Sequence, residues 1–358
     1  MAFAQSPQAR VYSNDFLNIG AGARAQGMAN SLVSGTDDVY SIFWNPAGLA
    51  RVGSDIQLGL NHTEYFQGAA NYDFGGIAFK LKDSAAFGVG VVRLGVDDIP
   101  NTIFLVQPDG TIDFNQVSSF AVADYAVFLS YGRTIGKLRL GGSSKIIYRN
   151  VGPFAEAWGF GLDAGIQYDL GKFTLAAMGK DITSTWNAWN FSLNDAEKDV
   201  FLATGNEIPE NSIEVTLPRL VLGGAFKTNI GSSFSLNTEL NLINYFGFQQ
   251  NSFISSNIVN IDPSLGLEIG FRNVLFARAG LGNVQTQTYF DPNGNTERMS
   301  VQPNAGLGLK ISALTVDYAF SDLSNQSVVP YSHIISIRFD LGKDIIEKNL
   351  SQGKNNDE

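Results

Sequence analysis

The stretch Trp158–Leu170 reads Trp-Gly-Phe-Gly-Leu-Asp-Ala-Gly-Ile-Gln-Tyr-Asp-Leu, and its two sets of alternate residues differ in kind. Trp158, Phe160, Leu162, Ala164, Ile166, Tyr168 and Leu170 form one set; Gly159, Gly161, Asp163, Gly165, Gln167 and Asp169 form the other. Successive side chains of a strand point to opposite faces, so the stretch predicts a long strand with one apolar face and one small, polar or acidic face. An aromatic stands near each end of the apolar face. A tilted strand of about 9–11 residues crosses a bilayer, and aromatic girdles mark both of its interfaces. A long strand of a soluble sandwich would carry the same pattern, so the remainder of the chain has to decide.

Similar alternation recurs from Gly53 onward, in about fourteen segments, the even number of a single-chain membrane barrel. It is clear in Ile56–Leu60, Leu265–Phe271 and His333–Leu341 and weak from Ala85 to Val96. The joins add an independent test. Short ones fall at Lys82–Ser84, Thr134–Gly136, Leu170–Lys172, Ile230–Ser232, Asn273 and Ser312–Ala313. Longer ones run over Tyr65–Asn71, Asp98–Val117, Asn150–Glu156, Thr183–Val215, Tyr245–Asp262, Val284–Ser300 and Asp322–Pro330. Short and long alternate along the chain, as up-and-down threading through a membrane requires and Greek-key connections do not. The expected fold is all-β: a closed transmembrane antiparallel barrel over residues 51–342, with short turns periplasmic and long loops extracellular.

Composition agrees. Only 16% of the 358 residues are charged, against about 25% in soluble domains, and no apolar run is long enough for a membrane helix. The net charge of -10 removes nucleic acid as a partner, because a phosphate backbone needs a basic surface. Without cysteine there is no disulfide, thiolate nucleophile or thiolate metal site. The two histidines, His62 and His333, have no identifiable nucleophile and acid beside them, so no enzyme activity and no cofactor is expected. Asp291-Pro292-Asn293-Gly294-Asn295 lacks the spaced carboxylates of a calcium loop and reads as a turn, as does Gln107-Pro108-Asp109-Gly110. Asp163, Glu239, Glu268, Arg139, Lys145, Arg272 and Arg338 are expected inside the barrel. Their mixed signs suit paired charges better than a permeation path.

Residues 14–50 do not alternate. The small-residue run Gly20–Ala29 precedes the turn-forming Trp44-Asn45-Pro46-Ala47-Gly48-Leu49. Its glycines miss the G-x-G-x-x-G spacing, and no strand-turn-helix unit surrounds them. A barrel of this size encloses more space than its own side chains fill, so this segment is the expected plug. Residues 1–13, with Ala2-Phe3-Ala4 in small-x-small form, read as the remnant of an export signal or a flexible N-terminus, and 343–358 as a polar periplasmic tail. In the long joins, Trp186, Trp189, Phe191, Phe246 and Phe248 are candidate partner- or ligand-binding residues, since aromatics dominate binding hot spots and interfacial girdles alike.

The motif Trp44, Asn45, Pro46, Ala47, in a non-strand segment ahead of the strands, resembles the hatch of the FadL-like outer-membrane barrels. The fuller run Asp15–Ala29, with Trp44–Leu49, is similar to the PorV/PorQ branch of Bacteroidota. That resemblance implies a component of type IX protein secretion in the outer membrane. Its loops would contact a large translocon barrel or the C-terminal signal domain of secreted cargo. The competing expectation is a FadL-like transporter of hydrophobic small molecules.

Overall fold

The computed structural model describes residues 13–65, 68–82, 84–107, 109–246, 252–291, 294–321 and 332–342. Residues 1–12 of the expected export-signal remnant or flexible N-terminus (1–13), Phe248 and the tail from Lys343 lie outside these residues. Sixteen strand segments make one sheet. They are β1 Ile56–Tyr65, β2 Ala70–Lys82, β3 Ala85–Asn101, β4 Ser118–Ile135, β5 Leu138–Val151, β6 Ala155–Leu170, β7 Phe173–Lys180 and β8 Thr185–Phe191. The others are β9 Ser212–Thr216, β10 Arg219–Ile230, β11 Phe234–Phe246, β12 Val259–Phe271, β13 Leu275–Asp291, β14 Gly294–Ile311, β15 Leu314–Ser321 and β16 Ser332–Leu341.

All neighbours are antiparallel, and β1 closes on β16 from Ile56–Leu341 to Glu64–His333. β7 and β8 both run along β6, as two parts of one wall strand. β9 and β10 likewise pair in turn with β8 and β7. The sheet is therefore a closed barrel of fourteen wall strands. Closure leaves no edge in the lipid zone, where an unpaired backbone group would find no partner.

Alternation sorts side chains as the sequence predicts. On β6, Trp158 and Phe160 point outward and are 57% and 53% exposed, whereas Asp163 and Gln167 on the other face are buried. Leu267 on β12 is exposed as well. These outward apolar side chains form a belt that water would disfavour and a bilayer would cover. The weak alternation between Ala85 and Val96 has a physical reason. Tyr72 and Phe74 on β2, Val92 on β3, Phe128 on β4 and Ile147 on β5 face inward into a hydrophobic cluster, so here both faces are apolar.

The rest of that cluster comes from the N-terminal segment, including Phe16, Leu32, Ile42, Phe43, Trp44 and Leu49. The segment holds two short helices, α1 (Ala23–Gly27) and α2 (Ser41–Trp44), and a 3-10 turn at Pro46–Arg51. Its spare backbone donors are met by inward side chains of the wall. Gly22 N–H donates to Asn61, Ala23 N–H to Ser336 and Val39 N–H to Gln57. Ser34 and Gly35 N–H both donate to the carboxylate of Glu239, at 2.6 and 2.8 Å.

Three sequence expectations need correction. Val284–Ser300 is not an open loop, because β13 and β14 stay paired out to Asp291–Gly294. Thr183–Val215 contains β8, β9 and the helix α3 (Asp195–Ala203). Arg272 does not face inward: it is exposed in the turn between β12 and β13, at φ 52°, with its guanidinium over the ring of Phe271.

Candidate functional site

At the rim bearing the longer loops, the inner wall holds an apolar cavity of about 580 Å³. Period-2 geometry places its aromatic residues. On β8, Thr185 and Asn187 are buried and Trp186 is 55% exposed, so Trp189 and Phe191 turn inward and line the cavity. β5 adds Val151, β6 adds Ala155, the turn between them adds Phe154, and the loop after β3 adds Ile103. Phe201 on α3, with Leu193 and Pro209 beside the helix, completes the apolar lining. A capping box starts α3: Asn194 accepts from Glu197 N–H at 2.9 Å, and Glu197 accepts from Asn194 N–H at 2.8 Å. The spare amide of Phe191 donates to Asn211, and that of Ser192 to the Phe154 carbonyl. This part of the rim is hydrogen-bonded together on both sides of the cavity.

β9 contributes Ser212 and Glu214. Trp189 Nε1–H donates to Glu214 Oε2 at 2.8 Å, and Arg149 pairs with the same oxygen at 3.2 Å and with Asp124 at 2.9 Å. The guanidinium also lies 5.0 Å from the Trp189 ring centre, in cation–π range. The next inward layer is polar: Asn187 and Thr216 both donate to Ser13 Oγ, and Asn14 donates to Thr216. Beyond it lies a buried triad in which Lys145 bridges Asp163 at 2.8 Å and Asp181 at 2.6 Å. The arrangement offers an apolar chamber above a polar, ion-paired floor. A second cavity, of about 400 Å³ at the opposite rim, is lined by Asp37, Asp38, Lys310, Arg338 and Asp340 and suits no hydrophobe.

Of the expected binding residues, the structure brings Trp189 and Phe191 together. Trp186 points to the outer surface of the same strand, and Phe246 ends β11 with an exposed ring. None of the three tryptophan and phenylalanine positions in 186–191 lies on a loop; all belong to β8. Trp44, Asn45, Pro46 and Ala47 sit deep in the lumen, away from the cavity. Trp44 Nε1–H donates to the Ala21 carbonyl at 2.7 Å. Asn45 is fully buried, donating to the Val33 carbonyl at 3.0 Å and accepting from Ala47 N–H at 3.1 Å. Sequence reasoning missed Phe154, Phe201 and Glu214. The spacing Asn194-x-x-Glu197 was the available signal for α3, since a capping box is readable without a structure. The histidines pair on the outer wall, His62 with Asp73 and His333 with Tyr318, each at 2.6 Å.

No protein-family model and no curated protein sequence matches the chain. Solved structures do. The toluene transporter TbuX of Ralstonia pickettii superposes with a TM-score of 0.54 at 13% identity, covering 90% of this chain and 98% of that one. The monoaromatic hydrocarbon channel CymD gives 0.56 at 14%, with 90% and 98% covered. A FadL homologue of Pseudomonas aeruginosa gives 0.54 at 12%, with 89% and 98% covered. The fold is FadL-like. At such identities the likeness speaks for architecture and leaves function to the residues.

Proposed function

We propose that the chain is an outer-membrane barrel that takes hydrophobic small molecules into its rim cavity for passage inward. The observation that carries this reading is the cavity itself: eight apolar residues, Ile103, Val151, Phe154, Ala155, Phe191, Leu193, Phe201 and Pro209, line it beside Trp189 at the rim that bears the longer loops. Water gains little by filling such a chamber, so an apolar solute of matching size binds there by desolvation. The similar barrels named for toluene and monoaromatic hydrocarbons support the same reading. In it the cavity and long loops are extracellular, the short turns are periplasmic, and residues 14–50 act as a hatch that must shift for passage. Reconstituted protein should speed entry of toluene into liposomes, and Phe154→Asp or Phe201→Asp should remove most of that gain. Unchanged entry in both variants would refute the role of the cavity.

A second reading, a secretion component related to PorV, draws on the motif resemblance and one further observation. The loop after β3 exposes Val106, Ile112 and Phe114, the last at 76%. An apolar hairpin of that kind fits a protein partner. Shortening residues 103–116 and asking whether a large translocon barrel still co-purifies from native membranes tests it. Deleting Trp186–Phe191 would not, because those residues are wall strand.

A further inference from the structure

Resting on the transport reading, we infer that the rim cavity admits uncharged hydrophobes and turns away carboxylates, with Glu214 setting that selectivity. Among the described residues lining the chamber, Glu214 alone is charged. Its Oε2 is shared by Arg149 and Trp189, at 3.2 and 2.8 Å. Arg149 is shared in turn with Asp124, so one guanidinium faces two carboxylates and the local charge stays negative. Arg149 itself does not line the cavity, and the indole N–H of Trp189 is already given to Glu214. A fatty carboxylate entering head-first would meet a like charge and no cationic partner. Its tail-first alternative leaves the headgroup beside exposed Ser212, with no basic side chain among the described lining residues to hold it. An ionised group desolvated without a counter-charge is strongly disfavoured, whereas an arene loses nothing there and an ester gives up only the weaker hydration of a neutral carbonyl. The phenylalanine rings of Phe154, Phe191 and Phe201 meet an arene edge or face equally well.

The experiment compares bromododecanoate with its methyl ester on the purified full chain, at mildly alkaline pH where the acid is ionised. Heavy-atom quenching of Trp189 is read as the difference between the parent protein and Trp189→Phe. The ester should quench, and the acid should bind at least roughly tenfold more weakly, as one uncompensated charge at partial burial implies. In Glu214→Gln the acid should recover about tenfold while the ester stays within about twofold. Ser212→Lys, which adds a cation at the mouth and leaves the Glu214 pairs intact, should also recover the acid. That variant keeps the test open if Glu214→Gln fails to fold. Equal binding of acid and ester to the parent protein would overturn the selectivity and leave the transport reading standing. Quenching by neither would overturn both, and a gap unchanged in both variants would remove Glu214 from the role.

Discussion

At the scale of single residues, glycines of the inner wall decide how close the N-terminal segment comes. A Cβ on Gly141 would lie 2.2 Å from Ala47 N and from the Pro46 carbonyl carbon, and one on Gly165 would lie 1.9 Å from Asn45 Oδ1. Backbone cannot yield as a side-chain tip can. Gly141→Ala should therefore cost about 3 kcal/mol, the upper part of the overpacking range, measured by urea unfolding in detergent micelles. Outward-facing Gly75, whose Cβ would meet only Leu60 at 3.8 Å, should accept alanine with no loss. A similar loss in both would refute the packing account. Glu268 makes the second residue-scale case. It takes hydrogen bonds from Arg24 at 3.0 Å and from Arg278 at 2.7 Å, tying α1 to the wall. Glu268→Ala removes the carboxylate that joins the two arginines but leaves Arg24 on Asp37 at 3.2 Å and Arg278 on Asp317 at 2.8 Å, so it should cost roughly 1.5–3 kcal/mol in the same unfolding assay, as for a hydrogen bond to a charged group. The small, polar face of Trp158–Leu170 was legible in the sequence; its meaning was not. Gly165 reads as mere alternation until Asn45, distant in the chain, is placed against it.

At the scale of elements, the wall strand β7–β8 is the irregular one. Between the pairs Ala164–Gly179 and Phe160–Trp186 it uses three residues more than β6. The surplus falls within the four-residue link 181–184, where Asp181 and Ser184 stand at φ 56° and 58°, in the left-handed region that costs most residues about 1–2 kcal/mol. Lys145 offsets that cost by holding Asp181 beside Asp163, and Asp163 Oδ1 also accepts from Asp181 N–H at 2.7 Å. Lys145→Met should therefore destabilise the barrel by roughly 3–5 kcal/mol, because Asp163 is left buried without its cation and Asp181 keeps only the longer 3.9 Å pair with Arg219. Adding Asp163→Asn and Asp181→Asn should recover part of the loss. No recovery in thermal unfolding would mean that the lysine packs rather than neutralises. This bulge also explains where reading stopped. Alternation carries across a regular strand but loses phase over extra residues, so Thr185–Phe191 looked like a loop rich in aromatics. Val284–Ser300 was missed for the opposite reason: Gln285-Thr286-Gln287-Thr288 is polar, and a strand segment beyond the lipid zone has no apolar face to announce it.

At the scale of the whole molecule, a ring of fourteen wall strands encloses a lumen that its own side chains do not fill, and the inner faces show it. Tyr72, Phe74 and Phe128 point inward with Phe43, Trp44 and Leu49 packed on them, so the main hydrophobic cluster of the protein lies inside the barrel. Strand number and the lipid-facing belt follow from periodicity alone, which is why they were legible. Which residues meet in the lumen depends on contacts between positions up to about three hundred residues apart, such as Arg338 on Asp38 at 2.8 Å, and no local pattern encodes them. If residues 14–50 are a hatch, the ring should close without them, since its backbone ladder from β1 to β16 is complete in itself. Their deletion would expose Gln57, Asn61, Glu239, Glu268 and Ser336, polar groups that water can satisfy as the segment did. It would also expose the inward aromatics, which water cannot. The deleted protein should thus fold with reduced stability and conduct in steps several-fold larger than the full chain in planar bilayers. Equal conductance of the two forms would show that the lumen is blocked by the wall strands and their loops, and the hatch assignment would fall.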